Sequence, residues 1–215
     1  VACADANGVS YLENNGDGTY APAIFLATHT YSGMRSIHVA DVNQDGFDDV
    51  VVFYATSILD GHVGGIGVRF GTGNGEFSVE HFTPTRPELR AGTVGDMNGD
   101  EFPDAVISFP HPGHADRVEI LYGRGDATFG GGTPAATATI DAAQPYQLVL
   151  DDLDGDASGV GPTADLLASV PTYAPGPNLI VQPNIVGANP AAVAIDLPEP
   201  VFGIATGHFF SSTET

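Results

Sequence analysis

The residues of this chain with the most chemistry in them are aspartates, and they recur in one pattern. Asp41-Val42-Asn43-Gln44-Asp45-Gly46-Phe47-Asp48-Asp49 is followed 55 residues later by Asp96-Met97-Asn98-Gly99-Asp100-Glu101-Phe102-Pro103-Asp104. A looser version begins 56 residues further on, with Asp152, Asp154 and Asp156 in step and Asp165 beyond an insertion. Oxygen-bearing side chains at alternate positions of a tight turn suit a hard cation, since calcium takes about six to eight oxygens from carboxylates, amides and backbone carbonyls. The first loop offers Asp41, Asn43, Asp45, the carbonyl of Phe47 and Asp49; the second offers Asp96, Asn98, Asp100, the carbonyl of Phe102 and Asp104. The third offers Asp152, Asp154, Asp156 and Asp165, with Gly155 falling early. Gly46 stands where the chain must bend sharply, and Glu101 replaces it in the second loop, which strains or opens that bend. An EF-hand fails as an explanation, because the position that must carry its bidentate Glu is Val52, Ile107 or Thr163. The alternative to an ion site is a solvated acidic turn, in which the carboxylates repel one another without relief. An ion held wholly by such a turn is a strut rather than a catalyst.

The elements that carry these loops repeat with them. A short apolar alternation precedes each loop (Ile37 and Val39; Gln147 to Leu150) and an apolar run follows it: Val50 to Phe53, Ala105 to Ile107, Leu166 to Ala168. A third run alternates apolar and small residues, at Ile66 to Phe70 and at Val118 to Tyr122. Then come Gly-rich turns, Asn14 to Gly18, Gly73 to Gly75 and Gly123 to Asp126, each closed by an aromatic: Tyr20, Phe77, Phe129. A fourth run, such as Ala23 to Ala27, leads into the next unit. Four short strands in a unit of this period, with no helical periodicity anywhere, predict an all-β chain of stacked β-propeller blades. The expected blades are 1–35 (partial), 36–88, 89–146, 147–200 and 201–215, the last being the first strand of a next or closing blade. Val1–Ala4 reads as a second strand and Val201–Gly207 as a first strand. The chain is therefore either a closed four-bladed ring or part of a seven-bladed propeller, the latter being favoured.

The acidic loops, the Asn-Asn-Gly-Asp-Gly-Thr-Tyr-Ala-Pro turn at 14–22, and Phe70-Gly71 resemble FG-GAP/VCBS repeats of the integrin α-type β-propeller. The resemblance implies a calcium-bearing propeller, usually of seven blades, in an extracellular protein.

Composition narrows the partners. There are 27 acidic residues against six basic ones, all arginine, for a formal net charge of −21. Such a surface repels a phosphate backbone, which excludes nucleic acid, and no apolar run approaches the roughly 20 residues of a membrane-spanning helix. Absence of Trp argues against tryptophan-marked propellers. The single cysteine, Cys3, has no intrachain partner, so packing or metal must hold the fold. Arg124-Gly125-Asp126 spells a tripeptide that integrins recognise, but its place matches the Gly-rich turns of the other units, so a turn is the favoured reading. His111, His114 and Asp116 share one loop, where a polar turn outweighs a transition-metal site, and His208 stands in a fourth loop that has lost its acids. No nucleophile elbow, phosphate-cradling loop or Cys-x-x-Cys is present. The expectation is a secreted or cell-surface module, stapled by calcium at two sites and more loosely at a third, that binds a glycan or an extracellular protein. The competing expectations are a secreted polysaccharide lyase or hydrolase, or its accessory domain, and a structural subunit of an extracellular assembly.

Overall fold

In the computed structural model the described residues are 2–4, 8–27, 33–55, 64–110, 117–130, 136–139, 145–151, 165–170, 179–182, 193–202 and 204. They form four antiparallel sheets, each a meander in chain order. The first contains β1 (Ala2–Ala4), β2 (Gly8–Tyr11) and β3 (Ile24–Ala27). The second contains β4 (Gly33–Ala40), β5 (Asp49–Ala55), β6 (Gly65–Arg69) and β7 (His81–Pro84). The third contains β8 (Ala91–Gly95), β9 (Asp104–Phe109), β10 (Arg117–Leu121) and β11 (Ala136–Thr139). The fourth contains β12 (Gln147–Asp151), β13 (Asp165–Ser169), β14 (Leu179–Gln182) and β15 (Val193–Ile195). Among the described residues there is no α-helix, and no ladder joins one sheet to the next.

The unbroken apolar run of β5 follows from its having no solvent face. Val50, Val52 and Tyr54 pack with Val9 and Leu26 of the first sheet, while Val51 and Phe53 pack with Ala105 and Ile107 of the third. β9 does the same one sheet further on: Ala105, Ile107 and Phe109 face the second sheet, and Val106 packs with Leu166 and Ile180 of the fourth. Each core is thus shared between two sheets, which stack face to face.

First strands of successive sheets lie beside one another. From β4, the Ser36 hydroxyl and the His38 Nε2–H donate to the Gly92 carbonyl of β8, at 2.7 and 2.9 Å. From β12, the Gln147 amide donates to the Ile204 carbonyl and accepts from its N–H, at 3.1 and 2.7 Å. Ile204 therefore stands to β12 as Gly92 stands to β4. Gly92 itself has no room for a side chain, because a Cβ would lie 2.2 Å from the Phe53 ring.

Candidate metal-binding loops

The first loop joins β4 to β5 and the second joins β8 to β9, and the two share one hydrogen-bond pattern except at the leading aspartate, where only the bond from the fifth residue on is common to both. The Asp41 carboxylate accepts from the N–H of Asp45 and Gly46, at 3.2 and 2.8 Å; Asp96 accepts from Asn98, Gly99 and Glu101, at 3.2, 2.7 and 2.8 Å. Asn43 Oδ1 accepts from the Asp45 amide and Asn98 Oδ1 from the Asp100 amide. The Asn side-chain amides donate to Asp45 and Asp100 at 2.9 and 3.0 Å, and the same aspartates accept from the N–H of Phe47 and Phe102, at 2.9 Å each. These are Asx turns in series, and they explain why short oxygen-bearing side chains stand at alternate positions.

Each loop needs two left-handed residues. They are Gln44 (φ 59°) and Gly46 (φ 87°) in the first, and Gly99 (φ 80°) and Glu101 (φ 71°) in the second. The glycine changes place but the course of the backbone does not, so Glu101 accepts the strained conformation rather than opening the turn.

Asp49 and Asp104 end their loops in a different environment. Both are fully buried. Asp49 accepts from the N–H of Val42 and Gly71, at 2.9 and 2.8 Å; Asp104 accepts from Met97 and Gly123, at 2.8 and 2.7 Å. Each carboxylate therefore ties the acidic loop to the start of the next Gly-rich turn. Burial pushes both carboxyls up to about 6, against the pull of those amides, and the charges of the two aspartates nearer the loop start (Asp41 and Asp45; Asp96 and Asp100) add to the rise. Phe47 and Phe102, expected to contribute only their carbonyls, also cover the turns with their rings: a Cβ on Gly73 or Gly125 would meet them at 2.1 and 2.5 Å. The sequence signal for both ties was the aromatic-Gly pair, Phe70-Gly71 and Tyr122-Gly123. Its glycine is required because a Cβ there would lie 2.2 Å from the carbonyl of Asp48 or Pro103.

Of the third loop, Asp152, Asp154 and Asp156 lie outside the described residues, as do His111, His114, Asp116 and His208. Asp165 is buried at the start of β13, in register with Asp151, the place that Asp49 and Asp104 hold in β5 and β9. Arg124-Gly125-Asp126 is part of a turn: Gly125 has φ +68°, and Asp126 accepts from the Thr128 N–H and hydroxyl, at 3.0 and 2.5 Å. Asp17 and Thr19 make the same pair of bonds in the first sheet.

The loops hold only oxygen donors in the positions assigned to an ion, the chemistry that suits calcium and not a soft metal. Among the described residues, no three His, Cys, Asp or Glu side chains converge on a single point; the loop carboxylates turn onto their own amides instead. No described helix is long and apolar enough to cross a membrane.

A chain of antiparallel sheets at a fixed period, each of the second and third led by the same acidic turn, defines an all-β repeat protein. Residues 1–52 match the family model of the FG-GAP-like repeat, a stretch that runs from β1 through the first acidic loop into β5. No curated protein matches the chain.

Proposed function

We propose that the four sheets are blades of a β-propeller, that the acidic loops take up calcium, and that the assembly is an extracellular module binding a glycan or a protein. The observation that carries the reading is the recurrence, 55 residues apart, of one loop with one backbone course and one set of oxygen donors. In the first loop Asp41, Asn43, Asp45, the Phe47 carbonyl and Asp49 would hold the ion; in the second, Asp96, Asn98, Asp100, the Phe102 carbonyl and Asp104. Uptake requires Asn43 and Asp45 to rotate away from their mutual hydrogen bond, and Asn98 and Asp100 likewise, while the backbone keeps its course. Bound calcium supplies positive charge to crowded carboxylates and no reaction step. The Asp165 position and the acids before it make a third, looser site of the same kind. The FG-GAP-like match supports an extracellular setting and a binding role by analogy.

Calorimetric titration of the apo chain with calcium, and its thermal melt with and without chelator, test the ion. With free calcium at about a hundred times the dissociation constant, each site adds about 2.7 kcal/mol of stability. An unchanged melt in chelator overturns the assignment. Binding on a glycan or protein array without turnover is the expected behaviour of the module, whereas release of reducing ends from a polysaccharide would make it an enzyme.

A further inference from the structure

Among the described residues, three asparagines precede a glycine: Asn15-Gly16, Asn74-Gly75 and Asn98-Gly99. Such a pair can cyclise, because no side chain shields the glycine nitrogen from the amide carbon of the asparagine. The fold treats the three differently. The Gly16 N–H is committed to Asn14 Oδ1 at 2.9 Å, and the Gly99 N–H to the Asp96 carboxylate at 2.7 Å. The Gly75 N–H donates to no described residue.

The surroundings of Asn74 are set for that reaction. Its Oδ1 accepts from the Glu76 N–H at 3.1 Å, closing a ring that contains the Gly75 nitrogen. The Thr72 hydroxyl donates to the same oxygen, the nearer of its two acceptors; the other is the Glu76 carbonyl, 3.1 Å away. Asn74 Nδ2 donates to the Glu76 carboxylate at 3.4 Å. The turns after β2 and β10 place Asp17 and Asp126 at this position, and each accepts from the hydroxyl and N–H of the threonine two residues on. Those bonds, the hydroxyl's first, hold both carboxyls below their usual range, so a hydroxyl and an amide at this oxygen favour negative charge on it. The turn after β6 keeps a hydroxyl and an amide there and offers them a neutral carboxamide instead.

We propose that Asn74-Gly75 modifies itself, ahead of the other two pairs, by losing ammonia to a succinimide that water opens to aspartyl and isoaspartyl products. The Gly75 nitrogen gives its proton to solvent base and bonds to Asn74 Cγ. Charge collects on Oδ1, where Thr72 and Glu76 already donate, as in an oxyanion hole. The Cγ–Nδ2 bond then breaks as Nδ2 takes a proton from water and leaves as ammonia, a departure that the adjacent Glu76 carboxylate favours. Asn74 is exposed, so water reaches the ring. Opening at Cγ leaves an aspartate like Asp17 and Asp126; opening at the Asn74 backbone carbonyl puts an extra carbon into the main chain. The turn starts at Gly71, which bridges to Phe77 and whose N–H is held by Asp49. The isoaspartyl product therefore loosens the tie between this turn and the first acidic loop. The inference does not rest on calcium or on any binding role, since Thr72, Asn74 and Glu76 are not acidic-loop residues.

The full chain is aged in mildly alkaline buffer, with and without calcium, and sampled by peptide mass spectrometry. Cleavage after Arg69, Arg90 and Arg117 leaves Asn74 and Asn98 as the only asparagines of their peptides, and fragmentation localises Asn15 in the peptide that ends at Arg35. The amide-to-acid mass gain is expected at Asn74 about tenfold faster than at Asn15 or Asn98, with aspartyl and isoaspartyl peptides both present. In denaturant the three rates should converge. Thr72→Val, which removes one donor from an exposed turn, should slow Asn74 about tenfold in the folded chain. Hydrogen exchange at the Gly71 amide should quicken in the aged protein while that at Gly123 holds. Equal rates in the folded chain, a lead at Asn74 that persists undiminished in denaturant, or an aspartyl product alone overturns the proposal, and none of these readings needs a variant to fold. An unchanged rate in Thr72→Val overturns the part given to the hydroxyl, and unchanged exchange at Gly71 overturns the link to the acidic loop.

Discussion

Asp49 and Asp104 each commit both carboxylate oxygens to backbone amides that the fold has taken out of water. Truncation leaves two amides without an acceptor, so Asp104→Ala, measured by denaturant unfolding in chelator to isolate the tie from any ion, should lose about 2–4 kcal/mol. A loss below about 1 kcal/mol would mean that Gly123 and Met97 find other acceptors. The left-handed residues give the opposite sign. Glu101→Gly relieves a non-glycine at φ 71° and should gain about 0.5–1 kcal/mol, read in the same unfolding experiment. His38 sets a pH dependence. Burial holds its pKa below the usual 6.5, outweighing the upward pull of the Gly92 carbonyl. With the folded value depressed, its contribution is fully present above 6.5 and drains away as the pH falls through the folded value. The difference between wild-type and His38→Gln stability, plotted against pH, should therefore shrink on acidification; a flat difference sinks the assignment.

At the scale of strands and turns, the packing between sheets is close enough for single methyl groups to matter. Gly92→Ala drives a Cβ into the Phe53 ring and should cost about 1–3 kcal/mol, with Phe53→Leu in the same chain recovering part of it. Thermal unfolding of the single and double variants checks this, and additivity of the two losses would mean that the contact is not felt. This is also the scale at which the sequence was most informative. The runs at Val50 to Phe53, Ala105 to Ile107 and Leu166 to Ala168 fall within β5, β9 and β13, and the closing aromatics Tyr20, Phe77 and Phe129 each form a bridge across their turn. Alternation and turn chemistry are local, so they can be read residue by residue. What could not be read is whatever joins distant positions. The amides of Gly71 and Gly123 reach back to Asp49 and Asp104, the rings of Phe47 and Phe102 settle on turns that follow a whole hairpin later, and Arg86 meets Glu119 across two sheets. The loop spacing likewise suggested converging ligands, yet competition from the loop's own amides decides where each carboxylate points.

For the molecule as a whole, charge is the dominant long-range term. At −21, self-repulsion opposes compaction, and mobile ions relieve it over a screening length of about 10 Å at 0.1 M salt. Chelated protein should therefore melt at a higher temperature as sodium chloride is raised from about 0.05 to about 0.5 M, with the gain smaller once calcium is present. A chelated melt that ignores salt would show that the acids are already offset within the fold. The sharing of each core between neighbouring sheets carries a different kind of consequence. Because β5 and β9 have no face of their own turned to water, excising part of a repeat would bare two greasy surfaces at once, whereas removing a whole period lets the flanking sheets meet and seal against each other. Changes of length in such a chain are quantised, and a lineage that lengthens or shortens it must do so in steps of one period.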